Sequence, residues 1–89
     1  MSEQQIDMTY RNFNYDLTFK LRTIREKLNF NLREMSAKTG IEMSIIRAYE
    51  SGKRTANLLY VQRLISETNL ELDDLFLDTK DFLAKLWFT

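Results

Sequence analysis

Apolar residues recur at helical spacing along most of this chain, and the pattern predicts an all-α fold. Leu17, Leu21, Ile24 and Leu28 share one stripe, so a first helix is expected from about Asp16 to Leu28, with Asp16 as its N-cap. The run Asn-Leu-Arg-Glu at 31–34 has the form of a capping box and starts a second helix that ends near Thr39, before Gly40. A third helix is expected over Met43 to Ser51, with Ile46 and Tyr49 inward and Gly52 just past its end. A fourth follows the N-cap Asn57 and is expected to bury Leu58, Val61, Leu64, Ile65 and Thr68, with Asn69 replacing glycine at its end. A short fifth helix covers about Leu72 to Leu77. Residues 78–89 form a further helix, capped by Asp78 or Thr79, with Phe82, Leu83, Leu86 and Trp87 on one side. Residues 1–15 have no clear period. The expected organisation is an N-terminal arm (1–15), a helical domain (16–77) and an apolar C-terminal extension (78–89).

Composition narrows the chemistry. The 89 residues include no His and no Cys, which removes the commonest catalytic bases, thiolate nucleophiles and zinc ligands. The carboxylates fall in no acid/base pattern, and neither glycine belongs to a phosphate-cradling loop. A non-enzymatic protein without cofactor or metal is expected. No apolar run approaches the roughly 20 residues that cross a bilayer, and the N-terminus has no signal pattern, so a cytoplasmic location is expected.

The segment Met35 to Arg54 carries the functional signal. Two short helices joined by a tight turn at Gly40 have the layout of a helix-turn-helix, which lays its second helix in the major groove of DNA. The thirteen basic and thirteen acidic residues cancel, but they are not evenly spread. Residues 20–54 hold nine basic and four acidic residues, a balance of +5, whereas residues 1–19 stand at −2 and residues 55–89 at −3. A bipolar chain of this kind can dock its basic face onto phosphates.

From Leu21 to Phe76 the chain resembles the phage-repressor (XRE or Cro-type) helix-turn-helix family, without insertion or deletion. The matching positions are Ile24, Arg25, Met35, Gly40, Ile41, Ile46, Tyr49, Glu50, Gly52, Lys53, Leu64, Leu70, Leu72, Asp73, Leu75 and Phe76. The resemblance implies a five-helix lambda-repressor-like domain, here with an N-terminal arm and an extra C-terminal helix. It implies a structural ion pair between Arg25 and Glu50. The third helix would read bases through Glu42, Met43, Ser44, Arg47 and Ala48. Among them Arg47 is best suited, since a guanidinium can bond guanine O6 and N7 together. Phosphate contacts would come from Asn31 and Arg33 and from Lys53, Arg54, Thr55 and Asn57.

The function implied is a sequence-specific transcriptional regulator that binds double-stranded DNA as a homodimer. The alternative is a protein-interaction module (antirepressor, antitoxin-like partner or accessory subunit) on the same fold. It is motivated by Leu32, where the family favours glutamine, by Glu42, where it favours serine or threonine, and by the apolar Met43 and Ile45. Phe82, Leu83, Leu86, Trp87 and Phe88 are too apolar for a solvated tail; they either fold back onto the domain or form a dimer seam.

Overall fold

The stripe on the first helix extends through a lysine, and the computed structural model, which describes residues 16–88, shows what that does. Helix α1 occupies residues 16–27, α2 Leu32–Thr39, α3 Met43–Ser51, α4 Leu58–Ser66 and α5 Thr79–Phe88; a 3₁₀ turn, Leu72–Phe76, precedes α5. All described regular structure is helical. The arm lies outside the described residues.

Helix ends follow local chemistry. In the Asn31 capping box, the side chain accepts from Glu34 N at 2.8 Å and the backbone N–H donates to Glu34 Oε1 at 3.1 Å. Gly40 closes α2 at φ 75°, and a Cβ there would meet nothing within 4 Å. Glycine is therefore needed for its left-handed backbone and not for space. Gly52 does the same for α3 at φ 82°. Asn57 caps α4 by accepting from Leu59 N at 2.7 Å, and Asp78 caps α5 by accepting from Asp81 N at 2.8 Å.

Several expectations are corrected. Asp16 is already helical, so it is not the N-cap of α1; its carboxylate faces Lys20 and Thr79 instead. The left-handed asparagine is Asn29, at φ 60° after α1, and not Asn69. Helix α4 instead ends at Glu67 with φ −87°, in a tightened last turn whose carbonyls accept from Glu67 N. The expected fifth helix is a 3₁₀ turn: Asp74 N bonds Glu71 O and Leu77 N bonds Asp74 O, each three residues apart. Leu58 is 59% exposed, and the residue of α4 that enters the core in its place is Tyr60.

One apolar cluster draws on every helix. Leu21 and Ile24 of α1 meet Met35 of α2, Ile46 and Tyr49 of α3, the inner face of α4, Leu75 of the 3₁₀ turn, and Phe82 and Leu86 of α5. The C-terminal extension thus contributes to the core. Burying a phenyl ring such as Phe82 stabilises by about 1.5–3 kcal/mol. Trp87 and Phe88 sit 140° and 240° around the helix from Phe82 at about 100° per residue, which leaves them exposed. Helix α5 runs beside α1: Thr79 Oγ1 donates to Asp16 at 3.2 Å, Lys20 lies over the Phe82 ring, and Lys27 lies 4.5 Å from the Trp87 ring centre.

Lys20 is fully buried. Its ammonium pairs with Asp16 at 2.6 Å, donates to Leu75 O at 2.9 Å, and also bonds Leu77 O. An ammonium has three N–H groups, and all three are used. It thereby ties α1 to the C-terminal end of the 3₁₀ turn and the residue that follows it, just before α5.

Asp74 holds the other side of this junction. It accepts from Glu71 N at 2.7 Å and from Lys85 at 2.7 Å, and these bonds hold its carboxyl below the usual carboxylate range. A depressed folded-state pKa stabilises above the unfolded value and loses that contribution as pH falls through the folded value. The stability gap between the wild type and Asp74→Asn should therefore be full near neutrality and close below about pH 4. Urea unfolding at stepped acidic pH measures it; a gap that persists undiminished in acid contradicts this account.

The Tyr60 hydroxyl is buried and has no hydrogen-bond partner among the described residues. Burial, reinforced by Glu50, pushes its pKa well up, so the phenol stays neutral. Its ring packs on Tyr49 at 5.3 Å between centroids, a contact phenylalanine keeps. Removing an unsatisfied buried hydroxyl relieves its desolvation, so Tyr60→Phe should raise stability by about 1 kcal/mol. Thermal unfolding should show Tm higher by about 4–8 °C; a fall in Tm would mean the hydroxyl is bonded in solution.

Candidate nucleic-acid interface

Helix α3 is held from behind and open in front. Ile46 and Tyr49 face the core, so the opposite stripe, at i, i+3, i+4 and i+7, is Ser44, Arg47, Ala48 and Ser51. Ser44, Arg47 and Ser51 are exposed and Ala48 is half-buried. The back is braced by a two-point contact: Arg25 Nε donates to Glu50 Oε2 at 2.6 Å and Nη2 donates to Oε1 at 2.8 Å. Nη1 adds a bond to Phe30 O at 2.8 Å. Hydrogen bonding to Glu50 raises the Arg25 pKa further, so the pair stays charged at ordinary pH. The planar fork sets the rotation of α3 against α1, which matters more here than net stability, since desolvation offsets much of the attraction.

The nine basic residues of the 20–54 segment divide sharply. Lys20 is buried; Arg22 pairs with Glu26, Arg25 with Glu50 and Lys38 with Glu67, while Lys27 covers Trp87. Arg33, Arg47, Lys53 and Arg54 remain: all four are exposed and, among the described residues, have no carboxylate within 4.0 Å. Each of these four belongs to the set that sequence reasoning placed toward DNA. Lys20 was missed as a structural residue. The signal was present, since it falls at i+3 from Leu17 and immediately before Leu21, on the apolar stripe.

The remaining candidates sit at helix ends. Asn31 and Asn57 use their side-chain oxygens as caps, while no hydrogen bond engages either side-chain amide nitrogen among the described residues. Thr55 is exposed in the loop after α3. Glu42 precedes α3, is exposed, and makes no capping bond, so the first amides of α3 have no side-chain acceptor there. Met43 is half-buried, and Leu32 and Ile45 pack against the core cluster, so these apolar choices do not form an exposed patch on the outward stripe. Among the C-terminal residues, Phe82 and Leu86 are buried, Leu83 is half-buried against the core, and Trp87 and Phe88 are exposed at 60% and 87%. Helix α5 contacts α1 and leaves the stripe of α3 clear.

A protein-family model described as "Helix-turn-helix" matches residues 21–75, well over half of the chain. The chain belongs to this XRE/Cro-type helix-turn-helix family. Comparison with curated proteins and with solved structures finds no match. The helix-turn-helix family is one of DNA-binding regulatory domains, and the matched span runs from the buried Leu21 to the buried Leu75. Within the helix-turn-helix domain, α2, the Gly40 turn and α3 form the motif itself. No helix among the described residues is long and apolar enough to cross a membrane.

Proposed function

We propose that this chain is a sequence-specific transcriptional regulator that reads the major groove with α3 and binds as a homodimer. The observation that carries the reading is Arg47: an exposed guanidinium, central on the outward stripe of α3, with no carboxylate partner among the described residues. Ser44 and Ala48 flank it on the same stripe, the first able to donate or accept and the second small enough to approach a thymine methyl. Glu42 at the start of α3 accepts from cytosine N4 if it reaches a base, and Met43 supplies apolar contact. Arg33 at the start of α2, and Lys53, Arg54, Thr55 and Asn57 after α3, engage phosphates on either side, with Asn31 aligning the α2 terminus. Two copies would meet half-sites one helical turn apart, roughly 34–36 Å.

Selection of bound duplexes from a random library tests this. The expected result is one enriched motif, repeated with two-fold symmetry at that spacing; recovery of unenriched sequence overturns the proposal. In the same assay series, Lys53→Ala should weaken every duplex alike and reduce the salt slope by about 1.

A further inference from the structure

A wide concavity lies along the flank of α3, away from its outward stripe. It is a groove of about 830 Å³ between the Gly40 turn, the inner flank of α3 and the first turns of α4. Ile41, Ile45 and Leu59 supply apolar walls, and Arg54 and Arg63 stand in its lining with a single carboxylate, Glu42. Leu59 is 73% exposed and its neighbour Leu58 59%, two leucines at the start of a helix whose inner face is otherwise well packed. Neither arginine has a carboxylate within 4.0 Å among the described residues.

We propose that this groove docks an acidic segment of a partner protein, one carrying Leu, Ile or Phe beside Asp or Glu. Charge complementarity commits the occupant. Two unpaired guanidinium groups call for carboxylates, while the apolar walls call for aliphatic or aromatic side chains, a combination that a peptide supplies. A phosphate backbone does not supply it: it would leave the apolar Leu59 against a hydrated anionic strand. Glu42 can accept a peptide N–H. The volume falls within the range of pockets that bury a compact ligand. The groove shares Glu42, Arg54, Thr55 and Asn57 with the proposed DNA interface, so the peptide and DNA would compete there; Arg63 and Leu59 lie outside that interface and separate the two activities.

Panning a random peptide library on the full chain, followed by titration of one enriched, fluorescein-labelled peptide, tests it. Enriched sequences should combine acidic with Leu, Ile or Phe residues. Arg63→Glu should weaken the labelled peptide by at least about tenfold, with a smaller dependence on added salt, and Leu59→Ser should weaken it comparably. Both side chains are exposed, so both variants should keep the parental circular dichroism, and both should bind random duplex at low salt as the parent does. Enrichment of non-acidic sequences, no enrichment, or peptide binding that stays at the parental level in either variant overturns the proposal. So does a loss of duplex affinity in Arg63→Glu matching the loss of peptide, which would assign the groove to the phosphate backbone.

Discussion

Arg47→Glu is expected to abolish sequence-specific DNA binding while leaving the fold intact. The side chain is exposed and makes no ion pair among the described residues, so its replacement removes nothing the core depends on. A bidentate guanidinium contact to guanine contributes about 1–3 kcal/mol of discrimination. Its reversal to a carboxylate adds repulsion from the bases' acceptor atoms and from the flanking phosphates. Arg47→Ala should lose the discrimination alone and retain the salt-dependent, non-specific component. Comparing the two variants on a selected duplex and on random duplex, across a salt series, separates readout from simple charge. Unchanged preference for the selected duplex in both variants would remove Arg47 from the reading surface. Glu50→Gln offers an independent check: it leaves every proposed DNA contact in place but weakens the brace on α3, so it should reduce specificity more than non-specific affinity.

Lys20→Ala is expected to destabilise the chain by about 3–5 kcal/mol, the range for removing one partner of a buried charged pair. Its removal leaves the carbonyls of Leu75 and Leu77 without their donor and Asp16 without its cation. Against a total of about 5–15 kcal/mol for a domain of ordinary stability, this change could leave the chain largely unfolded at physiological temperature. Asp16→Asn should be much milder, because the Asp16 side chain is 34% exposed and water replaces part of what it loses. Lys20→Met keeps the aliphatic stem against Phe82 but not the donors, and should fall between the two. Chemical denaturation of the three variants gives the ranking directly. A loss below about 1 kcal/mol in Lys20→Ala would put the ammonium outside the core, in the range of an exposed pair.

These two lysine and arginine positions show why charge read along the chain is a poor guide to the charge a ligand meets. Lys20 and Arg47 carry the same weight in the +5 balance of residues 20–54. One is consumed by backbone carbonyls of a segment more than fifty residues away, and the other faces outward. The apolar stripe marked Lys20 as unusual, and Asp16 stood four residues before it, but nothing nearby in sequence named the carbonyls of Leu75 and Leu77. Likewise, Asn29 and Asn69 both tolerate positive φ, and only Asn29 adopts it.

What the sequence determined by itself was local: the helical periods, the caps at Asn31, Asn57 and Asp78, the left-handed glycines, and the family-like spacing from Leu21 to Phe76. These depend on neighbours within a turn or two, where steric and hydrogen-bonding rules act without knowledge of the fold. Tertiary structure decided the rest. It chose Tyr60 over Leu58 for the core, folded Phe82 and Leu86 inward while leaving Trp87 and Phe88 out, and left Arg33, Arg47, Lys53 and Arg54 exposed. Burial and pairing depend on which surfaces meet, and those surfaces are brought together by residues far apart along the chain.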